Sequence, residues 1–185
     1  MGGLLYSSNT NSPKTELFFI IIGPENSGKT TALLNFVHPD DKIISVPTTD
    51  FNSDVMYYKN FTIHLLDMAK CEWYKQSENE LIEILTAKDA LLFFVDCTRI
   101  REKSYQIQMK NLFHSFLKVK LEKKFPFIVC VNKHDLSPEI DTEEVVNILD
   151  LYRFKDRNWY IKAVSAKYKY GIKDCLEWLI NSLEV

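Results

Sequence analysis

The apolar positions of the chain fall into two kinds of run. Short continuous apolar runs, which are typical of strands buried on both faces, lie at 17–22 (LFFIII), 90–96 (ALLFFVD) and 126–132 (PFIVCVN). Longer segments have apolar residues at helical spacing, at 27–37, 80–87, 103–123, 142–151 and 172–183. The pattern therefore predicts strands that alternate with helices along most of the chain.

Three further segments complete the predicted sheet. Residues 55–61 and 61–67 are strand-like and meet at a Lys-Asn turn, so they predict a hairpin, and 158–166 predicts a last strand. Buried strands separated by helices predict an α/β fold with a mostly parallel sheet and helices on both faces. We expect the long helix at 103–123 to be amphipathic, with Ile107, Leu112 and Phe116 near helical spacing, and the helix at 142–151 to begin at a threonine cap.

Length and composition suit one soluble domain. A chain of 185 residues can close one sizeable core. The polar stretch at 7–15 predicts a boundary, so residues 1–15 form a flexible or short amphipathic arm and 16–185 the domain. The net charge of −2 gives no electrostatic reason to expect nucleic acid as a partner. The four cysteines form no C-x-x-C pair, which favours reduced thiols in a cytosolic protein.

The first candidate for chemistry is the loop GPENSGKT at 23–30, which fits G-x-x-x-x-G-K-[ST] between a strand and a helix. Gly28 lets backbone amides approach phosphates, Lys29 neutralises their charge, and the Thr30 hydroxyl suits Mg²⁺. Asp67 ends another strand, where a carboxylate can contact Mg²⁺ through water. The residues expected to line the phosphate site are Gly23, Asn26, Ser27, Gly28, Lys29, Thr30 and Thr31.

A second motif, NKHD at 132–135, follows the strand 126–132 and predicts a guanine site. The Asp135 carboxylate can accept both N1–H and N2–H of guanine, a donor pair that adenine lacks. Asn132 would brace the loop, and the stem of Lys133 can lie over the base. The segment 165–167, with Ser165, Ala166 and Lys167, could present a backbone amide to guanine O6.

Several segments together resemble the ADP-ribosylation factor (Arf/Arl) branch of the small GTPases. The segments are GPENSGKTT at 23–31, PTTDFN at 47–52, NKHD at 132–135, RNWYI at 157–161 and LEWLINSL at 176–183. The resemblance implies a Ras-like six-stranded sheet, a GTP/GDP switch with Mg²⁺, and Thr48 as a switch threonine whose hydroxyl completes the Mg²⁺ shell only with GTP. It also implies effector and exchange proteins as partners, through Phe51, Leu66, Trp73 and Tyr74.

The chain departs from that family in the second switch. The family has Asp-x-Gly-Gly-Gln, whereas this chain has Asp67 followed by Met68, Ala69, Lys70 and Cys71. Cys71 at the usual glutamine position cannot both donate to and accept from the attacking water as an amide does. The resemblance therefore implies very slow intrinsic GTP hydrolysis, and whether the chain acts as an enzyme is left open. Lys70 either contacts the γ-phosphate by its charge or is a solvated surface lysine.

The function predicted from these residues is that of a regulatory GTP-binding protein of the Arf/Arl type, acting in membrane trafficking. It would be monomeric, and cytoplasmic or peripheral on an internal membrane. Met1 and Gly2 suit acylation, but Tyr6 stands where the acylation pattern has Ser or Thr. The alternatives are a pseudo-GTPase that serves as a structural binding module and, less well supported because of NKHD, a phosphate-loop ATPase or kinase.

Overall fold

The computed structural model describes residues 15–36, 52–68, 88–119 and 125–183. These residues form six strands: β1 (Thr15–Ile22), β2 (Asn52–Tyr58), β3 (Phe61–Asp67), β4 (Ala90–Asp96), β5 (Phe127–Asn132) and β6 (Trp159–Ala163). The helices described are α1 (Lys29–Phe36), α2 (Lys103–Val119), α3 (Thr142–Leu149) and α4 (Ile172–Ser182). The predicted helix at 80–87 and the arm up to residue 14 lie outside the described residues.

All six strands belong to one sheet, in the order β2-β3-β1-β4-β5-β6. β2 pairs antiparallel with β3, as the hairpin pattern predicted, and the remaining pairs are parallel. The Ras-like α/β fold predicted from the sequence is therefore confirmed. β1 lies between β3 and β4, because the chain builds β2 and β3 on one side of β1 and then crosses to the other side for β4, β5 and β6. A crevice at the carboxyl ends of the strands is expected at such a reversal of strand order.

Side chains that alternate along each strand face two different cores, because successive residues of a strand point to opposite faces. Phe19 and Ile21 of β1 belong to one cluster, which includes residues of α1 and α4. Ile20 and Ile22 belong to the other cluster, which includes residues of α2 and α3. Burial on both faces explains why the central strands are continuous apolar runs.

The apolar face of α2 differs in part from the prediction. Phe116 is buried and Leu112 is half-buried, but Ile107 is 62% exposed. The buried side chains of this helix are Tyr105, Met109, Phe113, Phe116 and Leu117, whose spacing follows one helical face. Ile107 lies off that face, so its apolar character did not indicate burial.

Three boundaries in the C-terminal half also differ from the predictions. The N-cap of α3 is Asp141, whose side chain accepts a hydrogen bond of 3.0 Å from the Glu143 N–H, so the threonine cap was wrong. The same helix ends at Leu149, because Asp150 adopts a left-handed backbone with φ of 55°. β6 ends at Ala163 rather than at 166, and Ser165 then forms a short antiparallel bridge with Tyr170.

Within the part of the chain that the structure describes, no helix combines the length and the apolar character needed to cross a membrane.

Candidate nucleotide-binding site

The residues predicted to carry chemistry meet at one edge of the sheet. β1, β3, β4 and β5 are mutually parallel, so their carboxyl ends lie on the same side. Asp67 ends β3 opposite Ile21, and Asp96 ends β4 opposite Asn132 in the strand register. The phosphate loop begins directly after β1 at the same edge. Polar side chains from distant parts of the sequence are thus brought to one crevice.

The phosphate loop has the backbone shape that its glycines permit. Gly23 and Gly28 have φ of 154° and 90°, and Asn26 has φ of 62°. A Cβ on Gly28 would lie 2.2 Å from Asn132 Nδ2, so a larger residue has no room there. The loop borders a cleft of about 730 Å³. The lining residues are Gly23, Glu25, Asn26, Gly28, Lys29, Thr30, Thr31 and Lys133.

Lys29 supplies the positive charge of this loop. Its side chain is largely buried, and Nζ donates hydrogen bonds to the carbonyl oxygens of Gly23 at 2.9 Å and Pro24 at 2.7 Å. Burial lowers the pKa of Lys29, whereas the nearby charges of Asp67 and Glu25 raise it. An ammonium group held among backbone carbonyls at the loop's centre is placed to attract an anion that enters the cleft.

Two oxygen groups adjoin the loop at the start of α1. Thr30 Oγ1 lies 3.3 Å from Asp67 Oδ2, and the Asp67 side chain is buried at the end of β3. A hydroxyl and a carboxylate are hard oxygen ligands of the kind that Mg²⁺ takes from proteins. The pair fits the predicted metal role of Thr30 and Asp67.

Asn132 connects the two loops that flank the crevice. Its Nδ2 donates a hydrogen bond of 2.8 Å to the Ser27 carbonyl oxygen in the phosphate loop. Its Oδ1 accepts a hydrogen bond of 2.8 Å from the Ala166 N–H. Both functional atoms of this buried amide are therefore used, and the bracing role predicted for Asn132 has a structural basis. The proposal that segment 165–167 offers an amide to guanine O6 stays a prediction, since the Ala166 N–H is bonded to Asn132.

Asp135 is also held by the segment at 165–167. The Ser165 hydroxyl donates a hydrogen bond of 2.5 Å to Asp135 Oδ1 and accepts one of 3.3 Å from the Tyr168 N–H. Asp135 is exposed, so its second oxygen can meet a ligand from solvent. Lys167 is exposed as well, and its Nζ lies 5.0 Å from the centre of the Tyr168 ring.

The sequence reasoning missed one residue of this edge, Asp96. Its Oδ2 lies 2.6 Å from Nζ of Lys133, and its Oδ1 accepts hydrogen bonds from the Thr98 N–H and hydroxyl at 3.0 and 2.6 Å. The signal that could have found it is the one used for Asp67: a carboxylate that directly follows a buried apolar strand.

Several predicted site residues cannot be placed. Thr48, Phe51, Lys70, Cys71, Trp73 and Tyr74 lie outside the described residues. Leu66, which was predicted to face effectors, is half-buried and packs against the cluster that includes α2 and α3.

The fold and this crevice define the class of the protein. The six-stranded sheet of this α/β fold carries a phosphate loop at its carboxyl edge. The motif NKHD at 132–135 and the segment 165–167 lie beside that loop. This is the arrangement of a Ras-like small GTPase. The family model of the ADP-ribosylation factor family matches residues 5–183, and the chain belongs to that family.

Individual relatives are similar over nearly the whole length. ADP-ribosylation factor K of Dictyostelium discoideum is 28% identical, with 92% of this chain and 87% of that protein covered. ADP-ribosylation factor-like protein 2 of the same organism is 27% identical, with 99% and 96% covered. ADP-ribosylation factor-like protein 3 of Chlamydomonas reinhardtii is 25% identical, and both chains are covered in full.

Proposed function

We propose that this chain binds GTP and GDP with Mg²⁺ and acts as a regulatory switch whose own GTP hydrolysis is very slow. The observation that carries the proposal is the pair of hydrogen bonds made by the Asn132 side chain, one to the phosphate loop and one to segment 165–167. Together they fix these two segments relative to each other. A nucleotide has a phosphate end and a base end, so its site must hold two loops at a constant distance. Membership of the ADP-ribosylation factor family supports the same function.

The phosphate end would bind in the loop around Lys29. The backbone amides of the loop and the start of α1 favour negative charge, and the Lys29 ammonium adds a full positive charge. Thr30 and Asp67 would hold Mg²⁺, with Thr48 joining them when GTP is bound. Mg²⁺ in such a site neutralises the charge of the β- and γ-phosphates.

The base end would bind beside Asp135 and Lys133. The carboxylate of Asp135 would accept from N1–H and N2–H of guanine, and the Ser165 hydroxyl holds its other oxygen in place. Adenine has no such donor pair, so with adenine in the site the Asp135 carboxylate would have no hydrogen bonds to the base. This loss is the physical basis for rejecting adenine.

Slow hydrolysis follows from the second switch. Cys71 replaces the amide that would orient the attacking water, and Lys70 replaces a glycine. Even with an intact switch, small GTPases hydrolyse GTP unaided at only about 10⁻⁴ s⁻¹. We therefore expect turnover below that rate without a partner protein.

The cellular role proposed is regulation of membrane trafficking. In this role the chain acts as a monomer that recruits effector and exchange proteins through Phe51, Trp73 and Tyr74. The protein would be cytoplasmic or peripheral on an internal membrane. Family membership supports regulators and effectors as partners in general terms.

The substitution of Ala69, Lys70 and Cys71 for the family's glycines and glutamine favours a second candidate function. A chain whose second switch lacks both glycines and the water-orienting glutamine can serve as a pseudo-GTPase. Such a protein would hold GDP, or no nucleotide, as a fixed part of a complex.

Nucleotide binding by the purified chain separates these functions. GDP, a non-hydrolysable GTP analogue and ADP are each added with and without Mg²⁺, and thermal unfolding is recorded. A ligand that binds only the folded chain stabilises it by about 2.7 kcal/mol at a hundredfold excess over Kd. Stabilisation by both guanine nucleotides but not by ADP is expected of the switch. Stabilisation by GDP alone, or by none, favours the pseudo-GTPase, and equal stabilisation by ADP contradicts both.

A further inference from the structure

Asp96 is a buried carboxylate at the site edge that the proposed function does not use. Its side chain is 2% exposed and lies at the carboxyl end of β4. Oδ1 caps the short 3₁₀ helix Cys97–Arg99 by accepting from the Thr98 N–H and hydroxyl. Oδ2 faces the opposite way, toward Nζ of Lys133 at 2.6 Å. One carboxylate thus connects the end of β4 to the loop that follows β5.

The partner of this carboxylate, Lys133, has an unusual backbone. Its φ is 62°, a left-handed conformation that residues with a Cβ adopt at a cost in energy. The Lys133 side chain is 31% exposed and borders the nucleotide cleft. Because Nζ is held by Asp96, the methylene stem rather than the charge is the part of Lys133 that is free to contact a ligand in the cleft.

We infer that Asp96 is a positioning residue for guanine nucleotide: it fixes Lys133 so that the lysine stem forms an apolar wall for the base. The inference rests on the proposed function, since it concerns the base end of the same site. A flexible lysine loses rotamer freedom when a ligand orders it. An ion pair already formed in the free chain removes that loss from the binding step, which is the general benefit of preorganisation.

Stability alone does not explain the pair. The Asp96 carboxylate is buried and loses its hydration, and this cost offsets much of its attraction to the partly exposed Lys133 ammonium. The capping of residues 97–99 needs only Oδ1, which an uncharged asparagine would also supply. The second oxygen and its charge therefore serve Lys133.

The experiment measures how fast the chain releases a fluorescent GDP analogue after a chase with unlabelled GDP. Asp96→Asn keeps the acceptor for Thr98 but puts an amide NH₂ opposite the Lys133 ammonium. Because Lys133 regains rotamer freedom that binding must then remove, release is expected to be roughly ten- to thirtyfold faster. The matched control is Glu102→Gln, which removes one negative charge from the exposed pair with Arg99 and should leave release unchanged.

The Lys133→Met background distinguishes positioning from a general structural role. If Asp96 acts through the lysine, Asp96→Asn adds no further acceleration once Lys133 is Met. Equal acceleration in both backgrounds, or release by Asp96→Asn at the unaltered rate, overturns the inference while the proposed function stands. A chain that does not retain the GDP analogue before any substitution overturns the proposed function and this inference together.

A second comparison does not depend on Asp96→Asn folding. Lys133→Met keeps an apolar stem of similar length, whereas Lys133→Ala removes it. If the stem is the contact with the base, release from the alanine variant is at least about tenfold faster than from the methionine variant. Equal release from the two variants shows that the stem makes no contact with the base, and the inference is then wrong.

Discussion

The side-chain amide of Asn132 donates a hydrogen bond of 2.8 Å to the carbonyl oxygen of Ser27, which lies 105 positions earlier in the chain. Asn132→Asp keeps the shape and the oxygen that accepts from the Ala166 N–H but loses the donor. A buried carboxylate oxygen would then face the Ser27 carbonyl. We expect the free energy of unfolding to fall by about 1–3 kcal/mol and GDP release to accelerate, as measured by chemical denaturation and nucleotide chase.

Asn147 provides a matched control for that substitution. Its Nδ2 also donates to a backbone carbonyl, that of Glu143 at 2.9 Å, but it is exposed on α3. Asn147→Asp should change the free energy of unfolding by about 0.5 kcal/mol or less and leave GDP release unaltered. Equal effects of the two substitutions would contradict the bridging role of Asn132.

Gly28→Ala should damage both stability and nucleotide binding. Gly28 has φ of 90°, and an added Cβ would lie 2.2 Å from Asn132 Nδ2. The strained backbone costs about 1–3 kcal/mol, and displacement of Asn132 opens the contact between the two loops. Calorimetry and GDP titration measure the two effects separately.

Gly171→Ala introduces similar strain away from the phosphate loop. This glycine, at the N-cap of α4, has φ of 72°, and a Cβ there would lie 2.9 Å from the Ala163 carbonyl oxygen. We expect a similar loss of stability with a much smaller change in affinity for GDP. If Gly28→Ala also leaves the affinity intact, the phosphate loop is not the nucleotide site.

Ser165→Ala should weaken the preference for guanine. The Ser165 hydroxyl donates to Asp135 Oδ1 at 2.5 Å, and without it the exposed carboxylate can rotate away from a base. A lost hydrogen bond to a charged group corresponds to about 1.5–3 kcal/mol, so the ratio of the Kd for ADP to that for GDP should fall at least about tenfold. Competition binding with both nucleotides measures this ratio.

Ser182→Ala is the control for the loss of a hydroxyl. Its hydroxyl donates to the Trp178 carbonyl oxygen at 2.8 Å near the end of α4. This variant should keep the base preference of the unaltered chain. A base preference that survives Ser165→Ala as well would show that Asp135 needs no support from the serine.

His114 should make the chain less stable at acid pH. Burial lowers its pKa from 6.5, and the charges of Arg153 and Lys110 act in the same direction, against the hydrogen bond with the Leu149 carbonyl oxygen. The folded chain then binds this proton less readily than the unfolded chain does. The stabilising effect is complete above pH 6.5 and is lost as the pH falls through the lowered pKa.

The measurement for this histidine is the free energy of unfolding between about pH 8 and pH 5. His114→Gln has no titrating ring, so its stability should fall less steeply over that range than that of the unaltered chain. The two curves should converge toward acid pH, where the protonated histidine no longer favours the folded state. Parallel curves would show that the other titrating groups cause the whole dependence.

The local patterns of the sequence predicted most of the fold, because they depend on contacts within a few residues. The apolar runs at 17–22, 90–96 and 126–132 are central strands, and the turn at Lys59-Asn60 closes the β2–β3 hairpin. The motif GPENSGKT predicted a loop between a strand and a helix, which the structure has. The spacing of apolar residues and the residue types at turns can both be read from the sequence without knowledge of tertiary packing.

Errors arose where two residues satisfied the same local rule. Asp141 and Thr142 are both good helix caps, and only the path of the chain into α3 selects the aspartate. Ile107 is apolar and near helical spacing, but the faces of β4 and β5 fix the rotation of α2 and leave it exposed. The spacing of apolar residues does not determine which of several adjacent faces of a helix packs against the sheet.

The sequence by itself determined the strands, the phosphate loop and the guanine motif, since each is encoded within a continuous segment. Only the tertiary structure decided that Asn132 joins Ser27 to Ala166, that Ser165 holds Asp135, and that Asp96 holds Lys133. Each of these contacts spans at least 30 residues of sequence. They exist because parallel strands bring their carboxyl ends to one edge, and strand order cannot be read from any local pattern.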